Sequence, residues 1–153
     1  DQVSNMIIWG NHSPTMYPDI ENAVVNGESI SSVINDMGWV ENEFLPTVQQ
    51  RGKAVIDARG ASSATSAAKA ALDTVIACEN PTDSNDSFSA AVESDGSYGV
   101  PEGLICGFPL STDGNGAVTI KKGLELSDFA KQKFQVSIDE LISERQAVEH
   151  LMK

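Results

Sequence analysis

Residues 3–18 have the sequence V-S-N-M-I-I-W-G-N-H-S-P-T-M-Y-P, which predicts a short buried strand followed by an irregular loop. The apolar run M-I-I-W is rich in β-branched and aromatic side chains, as buried strands are, and Gly10-Asn11 interrupts it. His12 therefore lies at a strand end, where catalytic groups are common, and imidazole has an ordinary pKa of about 6.5. A lone loop histidine is more often a surface or capping residue, so the residue alone leaves both interpretations open.

Length and composition indicate a single folded domain. Its 153 residues suffice for one domain with a real core. Cys78 and Cys106 form no C-x-x-C pair, and residues 80–87 lack the glycine and glutamate of a calcium loop, so we expect neither a disulfide framework nor a metal site. Without a signal-type segment or a spanning apolar run, we expect a cytoplasmic protein with no membrane partner.

Charge argues against a nucleic-acid partner. The formal net charge is −12, which repels phosphate backbones. The only basic island carries Arg51, Lys53, Arg59 and Lys69 against one acid, Asp57. An anionic ligand would be attracted there, although each base can equally pair with a neighbouring acid.

The order of predicted elements favours the α+β class, with antiparallel strands packed against several helices. After the first strand, Asn26-Gly27 predicts a hairpin turn. Periodic apolar residues then predict helices ending at Gly38 and Gly60, and an alanine-rich helix after Ser62 or Ser63 that suits the interior or a subunit contact. The remaining segments are four strands (88–93, 98–100, 104–111 and 117–121) and a helix from a capping box at Ser137 to about Met152. Its predicted inward-facing residues are Ile138, Leu141, Ile142, Val148, Leu151 and Met152.

Four spaced motifs resemble one known family. They are I-I-W-G-N-H-S (7–13), T-V-Q-Q-R-G (47–52), S-S-A-T-S-A-A-K-A (62–70) and S-D-G-S-Y-G-V-P (94–101). Together they resemble the second half of malate dehydrogenases, in the cytosolic-type branch of the lactate/malate dehydrogenase family. The resemblance covers essentially the whole chain and implies that family's C-terminal-domain fold.

The resemblance also implies a chemistry. His12 would take the proton from the C2 hydroxyl of malate while hydride passes to NAD, and would return it to oxaloacetate in reverse. By motif position Ser62 would be the substrate neighbour, with Ser63 second. No metal is implied. The family further implies a homodimer.

The dinucleotide-binding motif is missing. No G-x-G-x-x-G follows a predicted strand, and the Gly-x-Gly at 114–116 precedes a strand, not a helix. We therefore expect residues 1–153 to be a single catalytic and substrate domain, with NAD, the orienting Asp and the substrate-clamping arginines held mostly by a dinucleotide-binding half outside this chain. The isolated chain is then expected to be inactive. The alternative is a non-catalytic dimerisation fragment that keeps the dehydrogenase fold.

Overall fold

The computed structural model describes residues 3–152 and confirms the α+β class. Helices and antiparallel strands occur in blocks along the chain. The strands are β1 (Val3–Ser4), β2 (Ile7–Trp9), β3 (Tyr17–Asp19), β4 (Val24–Val25), β5 (Glu28–Ser29), β6 (Phe88–Glu93), β7 (Ile105–Thr112) and β8 (Val118–Ile120). The helices are α1 (Ile30–Val33), α2 (Met37–Trp39), α3 (Leu45–Gln49), α4 (Arg51–Arg59), α5 (Ala64–Glu79) and α6 (Asp128–Val148).

The buried strand predicted before His12 is β2, which connects two sheets. β2 pairs with β3 in one antiparallel ribbon, and Gly10 at its end forms an isolated bridge with Gly107 of β7. A Cβ atom on Gly107 would lie 2.6 Å from the Ile8 carbonyl oxygen, so this crossing requires glycine. The contact fixes the start of the His12 loop against the sheet β6-β7-β8.

The Asn26-Gly27 hairpin is also confirmed. Both residues have positive φ, 55° and 84°, as a type I′ turn requires, and they connect β4 to β5. The glycine-rich turn at 113–116 likewise connects β7 to β8, as predicted from the strand-forming residues that follow it.

The helix end predicted at Gly38 is wrong. Gly38 lies inside a helical turn, because the Asp36 side chain accepts from Trp39 N and starts α2 there. Helical backbone then continues through a wider π turn at Val40–Phe44 into α3. Pro46 has no N–H to give to an α-helical bond, and the wider turn just before it accommodates that loss. Gly60 ends α4 in the left-handed region, as predicted.

Residues 98–100 do not form the predicted strand. Gly96, Tyr98 and Gly99 all have positive φ, so the chain coils into a tight turn over Ser97–Gly99. The buried Ser94 hydroxyl closes the turn by donating to the Val100 carbonyl at 2.9 Å. Strands 88–93, 104–111 and 117–121 are confirmed within one residue.

The last helix begins nine residues before the predicted capping box. Ser127 is its true cap, because its hydroxyl accepts from Ala130 N at 3.1 Å. Ser137 lies in the helix interior and is fully buried. The predicted inward positions Ile138 and Leu141 are buried, whereas Val148, Leu151 and Met152 are exposed, which corrects that part of the prediction.

The core lies between β2, β3, β7 and α6. Trp9 is fully buried and its ring contacts those of Tyr98, Phe134 and Phe108, with centroid distances of 4.7, 5.2 and 6.5 Å. α5 is different, because none of its residues is buried. The interior placement allowed for the alanine-rich helix is therefore wrong, and a subunit contact stays a prediction.

Candidate active site around His12

His12 lies on the surface, in the loop that connects β2 to β3. Its backbone N–H is held by the Asn11 side-chain oxygen at 2.9 Å. Within residues 3–152, no hydrogen bond reaches the imidazole ring. The ring is therefore open to a ligand, and its position depends on how firmly the loop backbone is held.

The strands on either side of the loop are locked by a buried polar contact. The Trp9 indole N–H donates to the Asp19 carboxylate at 2.9 Å. Asp19 is fully buried and also accepts from the backbone of Glu21 and Asn22, which satisfies its charge. Burial, with the nearby carboxylates of Asp19 and Glu21, raises the pKa of Tyr17 above its ordinary value, so this phenol stays neutral beside the loop.

α6 holds the loop from the opposite side. The Ser137 hydroxyl accepts from Asn11 N at 2.8 Å, and a Cβ atom on Gly10 would come within 2.1 Å of that hydroxyl oxygen. One helical turn later, Glu140 accepts from the hydroxyls of Ser13 and Thr15, each at 2.5 Å. The residues immediately before and after His12 are thus both fixed to one helix.

The charge of Glu140 strengthens this attachment. Its hydrogen bonds from Ser13, then Thr15, lower the pKa of the Glu140 carboxyl below its ordinary value, so it is ionised at neutral pH. Hydrogen bonds to an ionised acceptor are shorter and stronger than neutral ones. The outer carboxylate, Glu144, accepts more weakly from the Asn11 amide at 3.2 and 3.3 Å.

The two predicted substrate neighbours are accessible but separate from this network. Ser62 is exposed, and Ser63 is half-buried at the cap position of α5, where its hydroxyl contacts Ser66 instead of capping a backbone N–H. In the described part of the chain, no hydrogen bond joins either serine to the His12 loop. Their substrate role stays a prediction from the motif.

Half of the basic island is neutralised locally. Lys53 pairs with Asp57 at 2.5 Å and Lys69 with Asp73 at 2.7 Å, both on exposed helix faces. Arg51 and Arg59 form no ion pair with any residue between 3 and 152. The loop itself contacts two carboxylates, Glu140 and Glu144, through hydrogen bonds.

Sequence reasoning missed the anchors of the site. Ser137 and Glu140 were interpreted as a capping box, although the same three-residue spacing also places two side chains on one helix face. Glu144 continues that face at the next turn. Three polar residues in one line on an otherwise apolar helix face were the signal that could have identified them.

Comparison with known proteins identifies the family of this chain. Residues 1–152 match the model of the lactate/malate dehydrogenase, alpha/beta C-terminal domain. The chain belongs to the lactate/malate dehydrogenase family.

Individual relatives agree with that placement. The malate dehydrogenase of Magnetococcus marinus is 51% identical over 150 residues, which cover 98% of this chain and 46% of that protein. The crystal structure of malate dehydrogenase from Naegleria fowleri matches with 41% identity and a TM-score of 0.89, covering 98% of this chain and 45% of that one. Trichomonas vaginalis lactate dehydrogenase, solved with NADH and oxamate, matches with 26% identity and a TM-score of 0.87, covering 99% and 47%. The chain therefore spans about half the length of the relatives it matches, and the resemblance seen in the four motifs is confirmed.

No helix in residues 3–152 combines the length and apolar character needed to cross a membrane. The same residues contain no group of three or more His, Cys, Asp or Glu side chains suited to a metal ion.

Proposed function

We propose that this chain is the catalytic domain of an NAD-dependent malate dehydrogenase, with His12 as the proton acceptor in malate oxidation and the donor in oxaloacetate reduction. The observation that carries the proposal is an exposed imidazole on a loop that is fixed at both flanks by Ser137 and Glu140. Family membership supports the reaction class, and the identities of 51% and 41% to two malate dehydrogenases support malate as the substrate.

The chemistry of His12 follows from its exposure. An imidazole can hold or release a proton near neutral pH, as proton exchange with the C2 hydroxyl of a 2-hydroxy acid requires. With its ring free of protein partners in the described region, His12 is available for such a ligand. Bound NAD supplies the hydride acceptor.

The described residues contain no glycine-rich turn that precedes a helix in the way a dinucleotide-binding motif does. The Gly-x-Gly at 114–116 lies in a hairpin turn between β7 and β8, not at a helix N-terminus, so it cannot cradle a pyrophosphate. We therefore assign no residue of this chain to the cofactor and derive no step through it. A dinucleotide-binding half outside residues 1–153 would hold NAD, as the motif analysis predicts.

The negative charges near His12 also indicate that a second half is needed. Malate and oxaloacetate are dicarboxylates, whereas the His12 loop is flanked by Glu140 and Glu144. Like charges repel, so cations must bind the substrate beside His12, and the family resemblance assigns them to the dinucleotide-binding half. The isolated chain is accordingly proposed to be inactive, and a homodimer of the full-length enzyme is proposed from the family. A cytoplasmic location stays a prediction.

The test is His12→Asn in the full-length enzyme, meaning this domain joined to its dinucleotide-binding half. We expect kcat to fall by about 10²-fold to 10⁴-fold, as for other general acid–base groups. His150→Asn is a matched control, because His150 is the other histidine and lies in the turn after α6. A rate within tenfold of wild type for His12→Asn would refute the assigned role. Comparing kcat/KM for oxaloacetate and pyruvate tests the substrate.

The alternative is a non-catalytic dimerisation fragment that keeps the dehydrogenase fold. The apolar face of α5 favours it, because Leu72, Val75 and Ile76 are each at least half exposed, at 59%, 59% and 50%. Mixing the chain with an intact dinucleotide-binding half discriminates the two functions. Restored malate oxidation supports the catalytic domain, and a folded chain that never restores it supports the fragment.

A further inference from the structure

Three polar side chains on α6 point at the His12 loop from one helix face. Ser137, Glu140 and Glu144 follow one another at spacings of three and four residues, so they form a line along the helix. They contact, in order, the backbone of Asn11, the hydroxyls of Ser13 and Thr15, and the side chain of Asn11. The partners are more than 120 residues apart in sequence, so these contacts form only in the folded domain.

Glu140 is the central and strongest of the three. A single carboxylate oxygen accepts both hydroxyls at 2.5 Å, and the two hydroxyl oxygens lie 2.7 Å apart. The Ser13 hydroxyl in turn accepts from Thr15 N at 3.1 Å. This closed set fixes the conformation of residues 13–15 directly after His12.

His12 depends on this support because its own ring has no partner in residues 3–152. A proton can be exchanged with a substrate only across a hydrogen bond of about 2.6–3.2 Å, and a misplacement of about 1 Å costs roughly 10²-fold in rate. Glu140 makes no hydrogen bond to the ring, so its influence must act through the loop backbone.

We propose that Glu140 is a positioning residue, whose carboxylate holds Ser13 and Thr15 so that His12 stands where it can exchange a proton with the substrate. This inference rests on the proposed function of His12. It assigns to α6, the last helix, a direct part in arranging a site formed near the N-terminus.

The test compares Glu140→Ala with Asp139→Ala in the full-length enzyme. Asp139 is the adjacent exposed acid and, among the described residues, hydrogen-bonds only to Gln135, so its variant removes an equal charge without touching the loop. For Glu140→Ala we expect kcat to fall roughly 10-fold to 100-fold while KM changes less than about threefold, since substrate is held elsewhere. Glu140→Gln should lie between Ala and wild type because an amide oxygen can still accept both hydroxyls.

A second pair of variants tests the loop side of the contact. Thr15→Ser keeps the hydroxyl and should retain nearly full kcat, whereas Thr15→Val keeps the shape, loses the hydroxyl and should lower it. These two variants test the same contact if Glu140→Ala does not fold.

The His12→Asn background separates positioning from general destabilisation. If Glu140 acts through His12, adding Glu140→Ala to His12→Asn should change the residual rate by less than about twofold. An equal loss in both backgrounds, or a Glu140→Ala rate matching Asp139→Ala, overturns the positioning role. If His12→Asn alone leaves the rate near wild type, the proposed function itself has failed, which is a separate result.

Discussion

Gly10 shows how one residue determines the path of the His12 loop. Its φ of +95° is one that other residues adopt at a cost, and its missing Cβ leaves room for the Ser137 hydroxyl. Backbone conformation and close packing therefore demand glycine for independent reasons. Gly27, also at positive φ, has open space around it and satisfies only the first of these demands.

This difference predicts unequal costs for two alanine substitutions. Gly10→Ala should destabilise the fold by about 2–5 kcal/mol, because backbone strain adds to a clash with α6. Gly27→Ala should cost only about 1–2 kcal/mol from the strain of the left-handed conformation. Urea unfolding followed by tryptophan fluorescence measures both, and equal costs would contradict the packing of Gly10 against Ser137.

The Glu140 carboxyl predicts a pH dependence of stability. Its pKa is lowered in the folded state, first by Ser13 and then by Thr15, while Glu144 is the other carboxylate at this loop. A lowered pKa stabilises the fold above the unfolded value of about 4.3, and that contribution is lost as pH falls through the folded-state pKa. The stability difference between wild type and Glu140→Gln should thus be constant near neutral pH and shrink in acid. Unfolding at a series of pH values measures it, and a difference that grows in acid would contradict the assigned hydrogen bonds.

Among the secondary-structure elements, the sequence predicted those turns and strands that depend on neighbouring residues alone. The Asn26-Gly27 turn and the strands β2, β6 and β8 follow from their own residues. The helix end predicted at Gly38 was wrong, because helical backbone continues from α2 through a π turn into α3. The prediction of Ser137 as a helix cap was wrong for a related reason, because its hydrogen-bond partner, Asn11, is 126 residues away.

The candidate site divides in the same way. The position of His12 at a strand end was predictable from M-I-I-W-G-N, and its chemistry was inferred from the family resemblance. The α6 anchors were not identified from the sequence, because their spacing on one helix face indicates a shared contact but not the distant segment that they contact. Tertiary pairing between residues 10–15 and 137–144 is the missing information.

Shortening an apolar side chain should cost much more stability on α6 than on α5. Phe134 on α6 is 2% exposed and contacts Trp9, so Phe134→Ala should cost about 3–5 kcal/mol. Leu72 on α5 is 59% exposed, so Leu72→Ala should change the stability of the chain by no more than about 0.5 kcal/mol. Thermal unfolding of the two variants checks this contrast, and a large loss for Leu72→Ala would mean that α5 packs against the domain after all.

For the whole molecule, two opposing forces act on its exposed surfaces. Apolar side chains stand exposed on α5 and on the 33–56 region, including Val33, Met37 and Ile56. Burial of such surface favours association. The net charge of −12 opposes it, because copies of the chain repel one another.

The ionic strength determines whether apolar association or charge repulsion is the larger force. At about 0.15 M ionic strength the Debye length is roughly 8 Å, so repulsion between surfaces is screened while apolar burial is not. We predict that the 153-residue chain self-associates in light scattering, more strongly as salt rises, and that the full-length enzyme keeps a constant mass. Leu72→Gln combined with Ile76→Gln should reduce the association of the chain. Association that weakens with salt would instead indicate attraction between the Arg51–Arg59 helix and acidic faces of another copy, and the apolar explanation would be wrong.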